Sequence, residues 1–201
     1  MVKRIFDLVF AATVLMMLAV PLAIIAVVIK FTSPGPVFYR GERVGVHGRR
    51  FRMFKFRSMV IDADRIGGSS TPDDDPRITS IGKFLRRYKL DELPQFLNVL
   101  SGAMSVVGPR PQVPWVVDLY TPEEQRLLDV KPGITDYASI KFRNEGEILK
   151  GAADPDRVYF ELIAPEKTRL GLKYVDRHGL FVDVRIIINT IFAAARPGQG
   201  V

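Results

Sequence analysis

From Ile5 to Ile29 the chain is apolar almost without interruption, with Asp7 as its one charge. That exceeds the roughly 20 residues needed to cross a bilayer as a helix. The run is too long for a cleavable leader and no small-residue cleavage site follows it, so it reads as a retained membrane helix. Pro21 lies inside the run, where it removes one backbone hydrogen bond and crowds the carbonyl four residues earlier. Lys3 and Arg4 precede the run, and Lys30 and a net-basic domain follow it, so both ends carry the mark of the cytoplasmic side. A re-entrant helix broken at Pro21 satisfies both ends at once and is favoured over a span. The chain then divides into this helix, residues 1–31, and a domain at the membrane face, residues 32–201.

Beyond the turn cluster Thr32-Ser33-Pro34-Gly35-Pro36, the segments Val37 to Arg40 and Arg50 to Met59 predict two short strands or a hairpin. Ile61 to Pro76 is polar and predicts a mobile loop in which Asp73, Asp74 and Asp75 are solvated. Ile78 to Lys89 has a helical stripe of Ile81, Leu85 and Tyr88, and Leu93, Leu97 and Leu100 repeat at the same spacing. Ser105 to Pro114 reads as strand or loop. Thr121 to Asp129 reads as a short acidic helix capped by Thr121, Lys131-Pro132-Gly133 as a turn, and Asp156 to Leu162 as a short helix. Leu180 to Ala195 is amphipathic, with Phe181, Val184, Ile187, Ile188, Ile191 and Phe192 on one side. A core helix and an interfacial helix fit that pattern equally. The implied fold class is α/β, mostly helical, with a small interfacial catalytic domain.

Composition narrows the chemistry. Hydrophobic residues form 47% of the 201, which excludes global disorder. The absence of cysteine excludes disulfides, thiol nucleophiles and Cys-ligated metals. The net charge of +7 points to an anionic partner, whether nucleic acid, lipid surface or phosphorylated substrate.

One constellation can carry chemistry. In KLDELPQFLNVL (Lys89 to Leu100), Asp91 and Glu92 stand just before a proline and so beside a helix start. Plain capping explains them. Such a carboxylate can equally bind a divalent cation, or attack phosphorus to form an acyl phosphate. The density of nearby cations shifts the balance: Lys83, Arg86, Arg87 and Lys89 precede the acids, and Lys55 and Arg57 sit in FKFRSM. Arg110 follows in the rigid Gly108-Pro109-Arg110-Pro111 turn. Guanidinium meets phosphate oxygens in a bidentate fork, and Arg86 and Arg110 flank the acids most closely in the chain. His47 and His178 lack a second histidine at ligand spacing and read as surface or structural residues. Trp115 suits either a stacked base or the membrane interface.

In order along nearly the whole chain come the Pro-broken helix, PGPVFYRGERVG (Pro34 to Gly45), FKFRSM (Phe54 to Met59) and DDPRITSIGKFLR (Asp74 to Arg86). LDELPQFLNVL, SVVGPRP (Ser105 to Pro111) and KPGIT (Lys131 to Thr135) follow. This series resembles the small monotopic bacterial phosphoglycosyl transferases, the unit shared with larger polyprenyl-phosphate sugar-1-phosphate transferases.

The resemblance implies a two-step transfer at the cytoplasmic face of the bacterial inner membrane, the first membrane step of glycoconjugate and polysaccharide assembly. An aspartate attacks the β-phosphate of a UDP-sugar and releases UMP; the phosphosugar then passes to undecaprenyl or another polyprenyl phosphate. Carried over residue by residue, Asp91 is the nucleophile and contacts Mg²⁺, and Glu92 is its dyad partner in acid/base or metal-orienting work. Lys55, with Arg57 beside it, and Arg86 fall at the phosphate region, and Pro109 and Arg110 at the nucleotide turn. Arg143 and Asn144, in KFRNE (Lys141 to Glu145), are candidate substrate contacts or a surface turn. The partners implied are the donor, the lipid acceptor and the phospholipid bilayer, with a homodimer left open.

Two departures qualify the likeness. Gly102-Ala103-Met104-Ser105 stands where many members carry an acidic GDMS-like string, so no function is assigned there. Asp136-Tyr137-Ala138-Ser139 replaces the glycine that usually follows KPGIT, as in a subgroup variant whose segment shapes the sugar pocket. The acidic and aromatic signature expected after that loop is blurred in Val158-Tyr159-Phe160-Glu161, which leaves the sugar open. Two other classes remain: a membrane-tethered basic module binding anionic lipid or a partner protein without catalysis, and an anchored nucleic-acid binder. The last ranks lowest, since no recognition motif is present, and no nucleic-acid partner is expected.

Overall fold

The computed structural model describes residues 1–195. They are mostly helical, with two small sheets of two strands each, in keeping with the α/β expectation. Helices α1 (Val2–Met17) and α2 (Ala19–Thr32) meet at 63°. Among the described residues no single helix is long and apolar enough to cross a membrane; these two qualify only as a bent pair. The break falls at Leu18 rather than at Pro21. Proline offers no N–H to the carbonyl of Met17, so the ladder fails one turn upstream, and Pro21 itself is accommodated in the first turn of α2.

Strands β1 (Phe38–Val44) and β2 (Arg50–Phe56) form an antiparallel hairpin, longer in its first strand than the sequence predicts because Gly41 continues it. The expected mobile loop holds a short turn, α3 (Ala63–Ile66), and is pinned at two places. Arg77 bonds Asp75 and the carbonyls of Ala63 and Gly68. Asp156 accepts from the amides of Ser69 and Ser70. Asp75 is therefore buried and paired, not solvated: its carboxylate is what orients Arg77.

Helix α4 (Ser80–Arg87) buries Leu85 but leaves Tyr88 exposed. Helix α5 (Gln95–Ser101) corrects the leucine stripe: Leu97 and Leu100 face outward, while Gln95, Phe96, Asn98 and Val99 are buried. The reason is Asn98, which accepts from the Phe54 amide and donates to the Arg52 carbonyl, turning its own face toward the β2 edge. Strand β3 (Ser105–Val107), α6 (Pro114–Val117), a 3-10 turn over Glu124–Asp129 and strand β4 (Gly133–Thr135) follow. The expected acidic helix is that 3-10 turn, with Thr121 and Glu124 capping each other reciprocally. The Lys131-Pro132-Gly133 turn opens directly into β4, which runs parallel to β3.

Helices α7 (Tyr137–Lys141), α8 (Glu145–Ile148) and α9 (Pro155–Val158) lead through a π-turn into α10 (Ala164–Arg177), which the apolar pattern does not announce. Helix α11 (Leu180–Ala195) has the expected bounds and leaves most of its apolar face outward, the arrangement that the interfacial reading requires and the core reading does not. Asp183 is wholly buried with Ile186 and Ile187, whereas Phe181, Val184, Ile188, Ile191 and Phe192 are exposed.

Two cores result. The main one joins Ala11 of α1 to Phe96, Val99, Val106, Tyr174 and Ile186. The second packs Ile29 of α2 on Phe56 and Leu85. Burying each such side chain stabilises the fold by about 1.5–3 kcal/mol. The turn bearing Asp91 spans the seam, with Leu90 on the second core and Leu93 on the first.

Candidate active site

Lys89 adopts a left-handed backbone, φ 57°, immediately before the 3-10 turn Leu90–Glu92. For a residue with a Cβ this is a costly conformation, and such strain concentrates at functional sites. It turns the chain out of α4 so that Asp91 and Glu92 enter the seam between the cores. Asp91 is buried at 5% exposure, and Glu92 is largely so, its side chain 14% exposed.

Their environments differ. The Glu92 carboxylate is gripped from two sides: Lys55 Nζ donates to Oε1 at 2.8 Å, and Arg110 donates to Oε1 at 2.5 Å and to Oε2 at 3.2 Å. Asp91 Oδ1 is buried and has no partner among the described residues. Burial pushes the Asp91 carboxyl above its ordinary value, Lys55 opposes that rise and Glu92 adds to it. Burial pushes Glu92 upward too, but Arg110 and Lys55 overcome it and hold Glu92 well below the usual carboxylate range. Lys55 is lowered by burial, and Arg110 is raised by Glu92.

Arg110 is delivered by a close backbone crossing. Gly108 N donates to Thr135 O at 3.1 Å and Gly133 N to Pro109 O at 3.0 Å. A Cβ on Gly108 would lie 2.2 Å from Lys131 O, and one on Gly133 would lie 2.0 Å from Gly108 N. The glycines of SVVGPRP and KPGIT are thus needed for the two segments to touch, and Pro109 contributes through its carbonyl.

The other expected residues are distributed as follows. Arg86 lies near enough for its charge to act on Asp91, and it donates to Thr71 O at 3.4 Å. Arg57 is committed elsewhere: its terminal nitrogens bond Pro34 O, Ser33 O and Ser33 Oγ, closing the turn after α2. Its Nε is buried without a partner among the described residues. Arg143 reaches Ala194 O at the end of α11, with a second nitrogen buried and unpartnered. Asn144 caps α8 through its backbone carbonyl. Neither is brought into contact with Asp91 or Glu92. His178 bonds Val175 O, a structural position.

Two residues near the site, Gln95 and Arg43, escaped sequence reasoning, and a third, Asp136, was placed only within the segment after KPGIT that shapes the sugar pocket. Gln95, one turn after Asp91, is buried with both polar atoms unpartnered. Arg43, desolvated and beside Arg110, arrives because Val44 N bonds Gln112 O. Asp136 is buried, caps α7 through the Ser139 amide at 2.6 Å and is raised by burial. For Gln95 and Arg43, only membership of the matching strings LDELPQFLNVL and PGPVFYRGERVG could have flagged them.

Among the described residues no three acids or histidines gather around one point. The donor set still fits a magnesium ion, which binds through one or two carboxylates plus substrate phosphates. Asp91 supplies the hard oxygen left unfilled, while both Glu92 oxygens are occupied.

An acid pair beside the strained Lys89 and ringed by Lys55, Arg86 and Arg110 offers the charge to receive an anionic group, and the chain belongs to the bacterial sugar transferase family. The family profile matches residues 1–197. The UDP-glucose:undecaprenyl-phosphate glucose-1-phosphate transferase of Escherichia coli (strain K12) is 37% identical over 201 residues. The alignment covers 96% of this chain but 40% of that protein. The exopolysaccharide production protein PSS of Rhizobium leguminosarum bv. phaseoli is 37% identical, with 98% and 97% covered. The UDP-N-acetylgalactosamine-undecaprenyl-phosphate N-acetylgalactosaminephosphotransferase of Aeromonas hydrophila is 36% identical, with 94% and 43% covered. The chain thus spans less than half the length of the two relatives whose names state a donor sugar.

Proposed function

We propose that this protein transfers a sugar-1-phosphate from a UDP-sugar to undecaprenyl or a related polyprenyl phosphate, through a phosphosugar carried on Asp91. The observation that carries the reading is the asymmetry of the acid pair: Glu92 is saturated by cations, and Asp91 keeps a buried oxygen with no partner. An Asp91 oxygen attacks the β-phosphorus, the bond to the α-phosphate oxygen breaks, and UMP leaves. An acceptor phosphate oxygen then attacks the same phosphorus, the acyl phosphate bond breaks and the Asp91 carboxylate is restored.

UMP departs as a phosphate anion and needs no proton from the protein. Glu92, held ionised, serves instead to fix Lys55 and Arg110 toward the diphosphate. A magnesium ion at Asp91 would supply charge neutralisation of the diphosphate. The bent α1–α2 pair, together with the outward apolar face of α11, supports a monotopic seat at the cytoplasmic membrane face, where the acceptor's phosphate lies. The variety of donors named among relatives leaves the sugar to experiment.

UMP release from a panel of UDP-sugars, with undecaprenyl phosphate and Mg²⁺ present, tests the reading. Turnover with at least one donor, abolished in Asp91→Asn, is expected. No UMP from any donor, with lipid binding intact in Asp91→Asn, would favour the non-catalytic tethered module.

A further inference from the structure

A second buried polar cluster lies outside the cleft. Asp183, wholly buried on α11, accepts from Lys3 Nζ at 2.6 Å and from Tyr174 Oη at 2.7 Å. Lys3 and Tyr174 also converge on one backbone atom, the Val107 carbonyl, at 3.3 and 3.0 Å. The tyrosine has a single proton for two acceptors, so with Asp183 ionised the ammonium of Lys3 is what can hold Asp183 and Val107 at the same time. Asp7, one turn along α1, accepts from Ser105 Oγ and the Val106 amide on the same strand. Helix α1 is thereby fastened to β3 at three successive residues.

Val107 is followed by Gly108-Pro109-Arg110. The backbone there is held rigidly to β4, and Arg110 ends on Glu92. Between the first turn of α1 and the Glu92 clamp there is no slack element, only one carbonyl and a three-residue turn.

We propose that Lys3, Asp183 and Tyr174 form a latch that transmits the seating of the N-terminal helix to Arg110, so that the acid pair is correctly clamped only when α1 is docked. Lys3 and Asp183 are positioning residues, acting through Val107 and Arg110. The kinetic part rests on the transferase reading; the mechanical part does not.

The test uses the full chain in nanodiscs and compares Asp183→Asn and Lys3→Met with Arg4→Met. Arg4 ties the same turn of α1 to the Val99 and Leu100 carbonyls but has no link to Val107. At matched distance below each melting temperature, amide exchange at Gly108 and Gly133, whose amides bond Thr135 O and Pro109 O, should accelerate about tenfold in the first two variants and not in the third. The donor KM should rise about fivefold with a smaller fall in kcat, and Lys3→Arg should restore both. Unchanged exchange at Gly108 and Gly133, or equal acceleration in Arg4→Met, would overturn the latch. If Asp183→Asn fails to fold, Lys3→Met decides, since Lys3 is one-third exposed. If the wild type releases no UMP, the exchange comparison still decides it, and only the transfer reading falls.

Discussion

The molecule buries two pairs of acids, and they are built to opposite ends. Asp7 and Asp183 are matched by donors from Ser105, Val106, Lys3 and Tyr174, so their desolvation is offset by geometry. At Asp91 and Glu92 only the second acid is matched, and the first keeps a bare oxygen next to a strained residue. A satisfied buried carboxylate holds elements together. An unsatisfied one is stability withheld for a ligand or a reaction, and this difference, more than the motif's spelling, marks where the chemistry is.

The largest effect should come from Asp91→Asn. UMP release should fall at least ~10³-fold, since the nucleophile itself is removed. The same change should raise stability by about 1 kcal/mol, because a neutral amide costs less to bury than a carboxylate with an empty oxygen. A denaturant midpoint that moves the other way would erase the contrast between the pairs.

Next comes Asp183→Ala, which leaves Lys3 and Tyr174 facing a void. Breaking a buried pair costs about 3–5 kcal/mol, and the partial exposure of Lys3 places this one near the lower figure. Chemical unfolding checks it; a loss under ~1 kcal/mol would show the network to be loosely coupled.

The smallest effect is a shift with pH. The raised Asp91 carboxyl puts the acid limb of activity above the ordinary aspartate range. Glu92→Gln removes a charge that raises Asp91 and frees Lys55 and Arg110 to favour its anion, so the limb should move to lower pH. For stability the signs are opposed. Glu92, depressed in the fold, contributes stability above its ordinary value that is lost as pH falls through its depressed one. Asp91, raised in the fold, costs stability as pH rises through the interval between its ordinary and raised values. In Glu92→Gln, therefore, the acid-side loss of stability should shrink.

Local chemistry was legible in the sequence where it is short-range. The hairpin, the Thr121 cap and the bounds of α11 follow from turn residues and periodicity, and the cations around Asp91 could be counted before they were placed. What periodicity could not supply is which face turns inward. It favours apolar faces toward the core, yet Leu97 and Leu100 point out because Asn98 has specific partners inside, and for α11, where periodicity left both faces open, the buried Asp183 and its partners decide. The post of Arg57 was hidden for a related reason: a guanidinium near a phosphate site and one closing a turn look alike until their acceptors are seen. The break at Leu18 instead of Pro21 lies beside Met17, whose carbonyl is the one a proline four residues on crowds and leaves without a donor.

Intact-protein mass, taken after mixing the purified protein with its UDP-sugar and Mg²⁺ in the absence of acceptor, addresses the central claim most directly. A gain of one phosphosugar, absent in Asp91→Asn and discharged by undecaprenyl phosphate, is the predicted result. UMP formed only when donor and acceptor are both present, with the protein's mass unchanged throughout, would mean direct transfer and would contradict it.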